Sequence, residues 1–130
     1  ANPSIRLIGV SMTQAPGMAA SLDAGKPRQM AEAPTLADSL QGGIGLNNQY
    51  TFHLVGKLVD EVVLVSEAEI GAAMSFALQQ HQLVLEGAGA VGIAALQAGK
   101  VREPGKHVAV VLSGGNVDLS QLWQIVQQHR

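Results

Sequence analysis

The chain has 130 residues, a hydrophobic fraction of 47% and a formal net charge of −2. This length and composition are typical of a single globular domain and exclude a disordered chain. The lysines and arginines are scattered singly, so no basic stripe could neutralise a nucleic-acid backbone, and a small-molecule partner is expected instead. The absence of cysteine excludes disulfides and thiolate metal sites and fits a cytoplasmic location.

No apolar run reaches the length of a membrane span, so no membrane association is expected. The sequence begins at Ala1 without an initiator methionine or a leader. We therefore expect a segment of a longer protein, with residues 1–130 forming one α/β domain.

The hydrophobic pattern predicts strands and helices that alternate along the chain. The predicted strands are apolar, largely β-branched runs at residues 5–10, 61–65 and 107–112. The predicted helices carry apolar or small residues at helical spacing and cover residues 18–24, 50–59, 66–78, 87–99 and 119–126. This alternation predicts a parallel sheet with helices on both faces.

Three local features refine this prediction. Ser66 followed by Glu69 is a capping-box pattern, which predicts that a helix begins there. Trp123 falls on the apolar stripe of the last predicted helix and is expected in the core. Residues 29–48 contain Pro34 and several glycines, which predicts a long loop, and loops of that length in compact domains are usually functional.

A glycine turn follows the last predicted strand and has the sequence Ser113-Gly114-Gly115-Asn116. Ligands of parallel sheets bind beyond the carboxyl ends of the strands, where glycines let a ligand approach the backbone. A ligand-binding loop is one interpretation. The other is a tight strand-to-helix turn in which Gly and Asn only supply positive φ.

Residues 87–92 spell G-x-G-x-x-G, from Gly87 to Gly92, which raises the possibility of a dinucleotide-binding module. A ribose-binding carboxylate is expected at the end of the next strand, but that strand ends in Ser113 and two glycines. The alternative is that the small residues form the smooth face of a closely packed helix. Glu86 precedes this helix and is expected either to face a ligand or to cap the helix N-terminus.

The four histidines are scattered without metal-ligand spacing, and no hydrolase nucleophile motif is present, so neither chemistry is expected.

Three blocks taken together carry a resemblance to a known family: residues 35–39 (TLADS) with 45–47 (GLN), residues 83–95 (LVLEGAGAVGIAA) and residues 110–119 (VVLSGGNVDL). In this order they resemble the second half of serine racemases and threonine dehydratases, which are fold-type II pyridoxal-phosphate (PLP) enzymes. The glycine-rich stretch after Ser39 and the Glu86-Gly87 pair are similar to the hydroxyectoine-utilisation dehydratases.

The resemblance implies a homodimeric ammonia-lyase that converts a hydroxy-amino acid to a 2-oxo acid and ammonia by β-elimination. It implies that Ser113 hydrogen-bonds the pyridine nitrogen of PLP, that Gly114 and Gly115 let the ring pack on the loop, and that Glu86 and Ser39 lie near the cofactor. A neutral hydroxyl does not enforce a protonated ring nitrogen, which favours prompt elimination.

The resemblance also implies what this segment lacks. The lysine that binds PLP covalently and the phosphate-binding loop belong to the first half of such enzymes, so no catalytic residue is expected here and the isolated chain should be inactive. The cation-binding positions of serine racemases align with Ser11, Ala15 and Gly17, none of which is acidic, so no metal site is expected. A non-catalytic association domain remains the third interpretation, beside the dinucleotide module.

Overall fold

A computed structural model describes residues 4–129 of the chain. Its elements, in chain order, are β1 (Ile8–Met12), α1 (Gly17–Asp23), a 3₁₀ turn (Asp38–Leu40), α2 (Thr51–Leu58), β2 (Glu61–Val65), α3 (Glu67–His81), α4 (Gly87–Gln97) and α5 (Leu119–Gln128). The long segment before α2 has no other regular structure, as the sequence predicted.

The two strands are parallel, with Ile8 opposite Glu61 and Met12 opposite Val65. β1 therefore begins three residues later than predicted, because it pairs only where β2 runs beside it. Asp60 and Leu7, the residues just before β2 and β1, are joined by two hydrogen bonds. The Asp60 carboxylate accepts from the Leu7 amide at 2.7 Å, and the Asp60 amide donates to the Leu7 carbonyl at 2.9 Å. The predicted α/β class with a parallel sheet and helices is confirmed.

The third predicted strand, at residues 107–112, does not form within the described residues, so this prediction is wrong. Residues 107–112 make no ladder hydrogen bonds with β1 or β2 in the described part of the chain. The composition of this segment is right for a strand, but a strand needs a hydrogen-bonded neighbour, and the segment pairs with neither β1 nor β2. Most of its apolar side chains are accordingly exposed, with Val108 at 50% and Val111 at 84%, whereas Val110 is half-buried against Gly92 of α4.

The core lies where α3 and α4 pack on each other and α4 packs on the strand pair. Side chains from all four elements and from α5 fill it, including Met12, Val65, Ile70, Met74, Ala90, Ala94 and Leu122. The alanines of α4 let the helix approach the sheet closely, since small side chains leave the backbones free to come together.

α3 begins at the predicted capping box. The Ser66 hydroxyl accepts from the Glu69 amide at 3.3 Å, and the Glu69 carboxylate accepts from the Ser66 amide at 2.6 Å. The pair satisfies two backbone donors that the first turn of a helix leaves unpaired. The helix ends at His81, and the φ of 56° at the next residue, Gln82, turns the chain out of the helix.

Trp123 is not in the core, contrary to the prediction. Its side chain is 53% exposed, whereas Leu122, Ile125 and Val126 of the same helix are buried. These three have spacing i, i+3, i+4 and form the face that packs on the rest of the chain, and Trp123 lies about 100° around the helix from Leu122. Within residues 4–129, no helix is both long and apolar enough to cross a bilayer.

Candidate functional site

The start of α4 lies between two loops, one before α2 and one before α5. A Cβ on Gly87 would stand 2.0 Å from the carbonyl oxygen of Leu36, and a Cβ on Gly89 would stand 2.1 Å from the carbonyl oxygen of Ser113. No side chain fits in either gap, so only glycine lets both backbones touch the helix. The glycine run brings the two predicted ligand-binding segments to the same helix end.

Glu86 links these two loops. It occupies the residue before α4, but its side chain makes no capping hydrogen bond to the helix. Instead, one carboxylate oxygen accepts from the Ser39 hydroxyl at 3.5 Å and the other from the Asn116 amide at 3.0 Å. The Glu86 amide also donates to the carbonyl of Gly114 at 3.4 Å. The capping interpretation of this side chain is therefore wrong, and the carboxylate faces the loops.

The glycine turn at residues 113–116 needs its glycines for two different reasons. Gly114 has a φ of 82°, and a Cβ there would stand 2.5 Å from the Glu86 carboxylate. A Cβ on Gly115 would lie 3.0 Å from the Val84 carbonyl, which is tighter than most real contacts. Positive φ and close packing thus both act in this turn, so the interpretation as a simple positive-φ turn is incomplete.

Ser113 is exposed at the rim of this arrangement. Its hydroxyl has no hydrogen-bond partner among residues 4–129, whereas the hydroxyl of Ser39 is turned to Glu86. A free hydroxyl can both donate and accept a hydrogen bond. The site therefore offers one neutral hydroxyl and one carboxylate, together with a backbone surface without side chains.

The four lysines lie in settings unlike that of a covalent cofactor anchor. Lys26, Lys57 and Lys106 are exposed. Lys100 donates to Glu69 at 2.7 Å and to the carbonyl of Leu64 at 2.8 Å, so its ammonium group is held in a structural ion pair. A nucleophilic lysine needs a desolvated site that favours its neutral form.

Metal-binding side chains do not gather anywhere in the described residues. No three histidine or acidic side chains there approach closely enough to hold an ion. The expected absence of the family's cation site stays a prediction, to be checked by thermal unfolding with and without millimolar Mg²⁺ or Ca²⁺.

The structure brings together all five residues singled out from the sequence, namely Ser39, Glu86, Ser113, Gly114 and Gly115. Sequence reasoning missed Glu67, whose carboxylate accepts from the Thr35 hydroxyl at 2.6 Å and the Leu36 amide at 2.7 Å. An acidic residue in the first turn of a helix is so commonly a dipole or capping residue that its position gave no signal of this contact.

The fold and the site define a class: a parallel α/β protein in which a helix N-terminus and a glycine turn form one open binding face. Residues 1–114 match the family model of the pyridoxal-phosphate dependent enzymes. The chain belongs to this family, as the sequence resemblance predicted.

Relatives of known name agree with this assignment. The chain is 52% identical over 117 residues to a putative threonine dehydratase of Sinorhizobium fredii, covering 90% of the chain and 35% of the relative. It is 43% identical over 127 residues to an L-threonine ammonia-lyase of Thermotoga maritima, covering 98% of the chain and 31% of the relative. The chain thus spans about a third of the length of the curated relatives that it matches.

Solved structures show the same fold. Maize serine racemase superposes with a TM-score of 0.81 at 34% identity, over 99% of this chain and 40% of the racemase chain. The T.th. threonine deaminase also superposes with a TM-score of 0.81, at 30% identity, over 91% of this chain and 41% of that chain.

Proposed function

We propose that this chain is the part of a PLP-dependent hydroxy-amino-acid dehydratase that contacts the pyridine side of the cofactor. The observation that carries the proposal is the meeting of Ser39, Glu86 and Ser113 at the start of α4, in a chain that belongs to the PLP-dependent family. They are also the residues that the family resemblance implies lie near the cofactor.

The residues present fit this cofactor. Ser113 offers an unengaged hydroxyl that can donate to a ring nitrogen, and the exposed residues Gly114 and Gly115 follow it in the turn. PLP supplies the electron sink for amino-acid chemistry when it is bound. The neutral Ser113 hydroxyl would hold the ring in place without enforcing its protonation, and the Glu86 carboxylate would keep the glycine turn in position through Asn116.

The proposed substrate is a β-hydroxy amino acid such as threonine or serine, and the proposed products are a 2-oxo acid and ammonia. The relatives named above as threonine dehydratase and threonine ammonia-lyase support this class of reaction. A homodimeric assembly, a cytoplasmic location and the hydroxyectoine-utilisation branch stay predictions.

The segment alone is proposed to be inactive. None of its lysines lies in a setting suited to binding PLP covalently, and the relatives are about three times as long as this chain. The lysine that binds PLP covalently and the phosphate-binding loop would be supplied by the remainder of the parent protein.

The remainder of the parent is also proposed to pack against the apolar segment 107–112. Val108 and Val111 are exposed on a β-branched run with no strand beside it among the described residues. Apolar residues on both faces are typical of a strand inside a parallel sheet. A neighbouring strand from the rest of the parent would satisfy both the backbone groups and the apolar side chains.

Replacement of Ser113 in the full-length parent tests the proposed role. Ser113→Ala should weaken retention of PLP and reduce release of 2-oxo acid by about 10-fold or more, because a positioning hydrogen bond to the cofactor is lost. Ser120→Ala is the control and should leave both unchanged, because this exposed hydroxyl donates to Asp118 at the start of α5 and not to the site. A wild-type parent without a bound-cofactor absorbance band, or a Ser113→Ala variant equal to wild type, would contradict the proposal.

The two other interpretations have less support. The close neighbours of Gly87 and Gly89 are the carbonyls of Leu36 and Ser113, so this glycine face packs against the protein itself rather than leaving room for a dinucleotide. Titration of the parent with NAD(H) tests the dinucleotide module. An association domain without catalysis would show no spectral response to any cofactor.

A further inference from the structure

The loop that carries Ser39 is held by a residue outside the cofactor contacts. Glu67 lies in the first turn of α3, and both oxygens of its carboxylate are engaged by the loop. One accepts from the Thr35 hydroxyl at 2.6 Å and the other from the Leu36 amide at 2.7 Å. This two-point attachment fixes the orientation of the loop, because a single hydrogen bond would leave it free to rotate.

The attachment continues inward from Glu67. The Thr35 hydroxyl also accepts from the Ala37 amide at 3.1 Å, so it joins the carboxylate to the next residues of the loop. Ala37 is fully buried, and the Leu36 carbonyl lies against Gly87 at the start of α4. The Glu67 carboxylate thus holds the loop by hydrogen bonds where it packs against the start of α4, the helix end at which the site lies.

The 3₁₀ turn that follows places Ser39 at the site. Its hydroxyl donates to Glu86 at 3.5 Å, only two residues after the buried Ala37. The loop on either side of residues 35–40 has no other regular structure, so tertiary contacts decide where Ser39 lies. These are the packing of Leu36 and Ala37 against α4 and the Glu67 hydrogen bonds that hold the same stretch. Loops with few constraints sample several arrangements unless tertiary contacts select one.

We propose that Glu67 is a positioning residue, whose carboxylate sets the location of Ser39 and the surrounding loop relative to Glu86 and the glycine turn. The inference rests on the proposed function. It adds a residue that contacts neither cofactor nor substrate and that acts through the loop alone.

Glu69 provides a matched control from the same helical turn. It also accepts a backbone hydrogen bond, and it pairs with Lys100, but among the described residues none of its hydrogen bonds reaches the Ser39 loop. Replacing either glutamate with alanine removes contacts from the start of α3. Only the replacement of Glu67 releases the loop.

The experiment compares Glu67→Ala, Glu67→Gln and Glu69→Ala in the full-length parent. For Glu67→Ala we expect cofactor retention or kcat/KM to fall about 10- to 100-fold, the range that small misplacements of site residues produce. Glu67→Gln should recover most of the loss, since its amide oxygen still accepts from Leu36. Glu69→Ala should lower Tm at least as much as Glu67→Ala while leaving kcat/KM and the circular dichroism of bound PLP near wild type.

Two results would overturn the inference: a Glu67→Ala variant with wild-type kinetics and dichroism, or losses in both alanine variants that simply follow Tm. A wild-type parent that binds no PLP would instead refute the proposed function. In that case amide hydrogen exchange decides the inference, because Glu67→Ala should speed exchange at the Leu36 amide and Glu69→Ala should not.

Discussion

The carbonyl oxygen of Ser113 lies 2.1 Å from the position that a Cβ on Gly89 would take. Real Cβ atoms do not approach backbone oxygens to under 3.0 Å, so the glycine turn and α4 touch through backbone alone. This contact explains the glycine at position 89. Glycine has a weak helix propensity, but any larger residue at this position would push the Ser113 turn off the helix.

Gly89→Ala should therefore damage the site. Alanine favours a helix over glycine by about 1 kcal/mol, but the methyl group would collide with a backbone atom that cannot rotate away. We expect a net destabilisation of about 1–3 kcal/mol, typical of an overpacked contact, measured by denaturant unfolding. Gly56→Ala in α2 is the control: its Cβ would meet only a Leu22 methyl at 3.4 Å. A Gly89→Ala protein as stable as Gly56→Ala would contradict this account.

Gly114→Ala tests the contact between the turn and Glu86. Gly105 and Gly114 have similar positive φ angles, 75° and 82°. A Cβ on Gly105 would meet open space, whereas a Cβ on Gly114 would stand 2.5 Å from the Glu86 carboxylate. Gly105→Ala should cost only the backbone strain of about 1–2 kcal/mol. Gly114→Ala should cost more and should also displace the carboxylate from Asn116, observable as faster exchange of the Asn116 amide. Equal costs in the two variants would mean that Glu86 simply rotates away.

The elements fixed by local chemistry could be predicted from the sequence. β2 and the start of α3 were predicted correctly, because a β-branched run and the Ser66–Glu69 pair determine their own conformation. The proximity of Ser113 and Glu86 follows instead from the family resemblance, which implies that both residues lie near the cofactor.

The failures have non-local causes. Residues 107–112 have strand composition, but pairing depends on a neighbour that the described residues do not provide. The apolar positions of α5 fit two stripes, one through Trp123 and one through Ile125, and only packing selects the second. Glu67 contacts a loop more than 30 residues away in sequence, which no local pattern encodes.

The stability contributed by Glu69 should depend on pH. Burial works to raise the pKa of this carboxyl group, but hydrogen bonds from Lys100 and from Ser66 outweigh burial and lower the pKa below its usual 4.5. A carboxylate with a lowered pKa in the folded state stabilises the protein above its ordinary pKa. The stabilisation is lost as the pH falls through the lowered value.

Glu69→Gln isolates this charge, because glutamine can still accept from the Ser66 amide. At pH 7 the wild type should be more stable than the variant by about 1 kcal/mol or less, as expected for a partly exposed ion pair. The difference in Tm should shrink as the pH is lowered toward 3. Lys100→Met should remove part of the same pH dependence, because the hydrogen bonds of Ser66 also lower the pKa of Glu69. A Tm difference that stays constant from pH 7 to pH 3 would show that the ion pair does not stabilise the fold.

Val111 tests whether the remainder of the parent covers segment 107–112. Its side chain is 84% exposed in this chain, so Val111→Lys should change the stability of the isolated chain by no more than about 0.5 kcal/mol, as surface substitutions usually do. In the full-length parent the same position would lie inside a sheet, and an unpaired buried ammonium group is strongly unfavourable there. We expect Val111→Lys to lower the Tm of the parent by about 10 °C or more, or to prevent its assembly. Gln124→Lys, at an exposed position of α5, should be tolerated in both proteins. If the parent tolerates Val111→Lys as well as Gln124→Lys, segment 107–112 is a surface segment in the complete protein and a different part of the chain must join this domain to the rest.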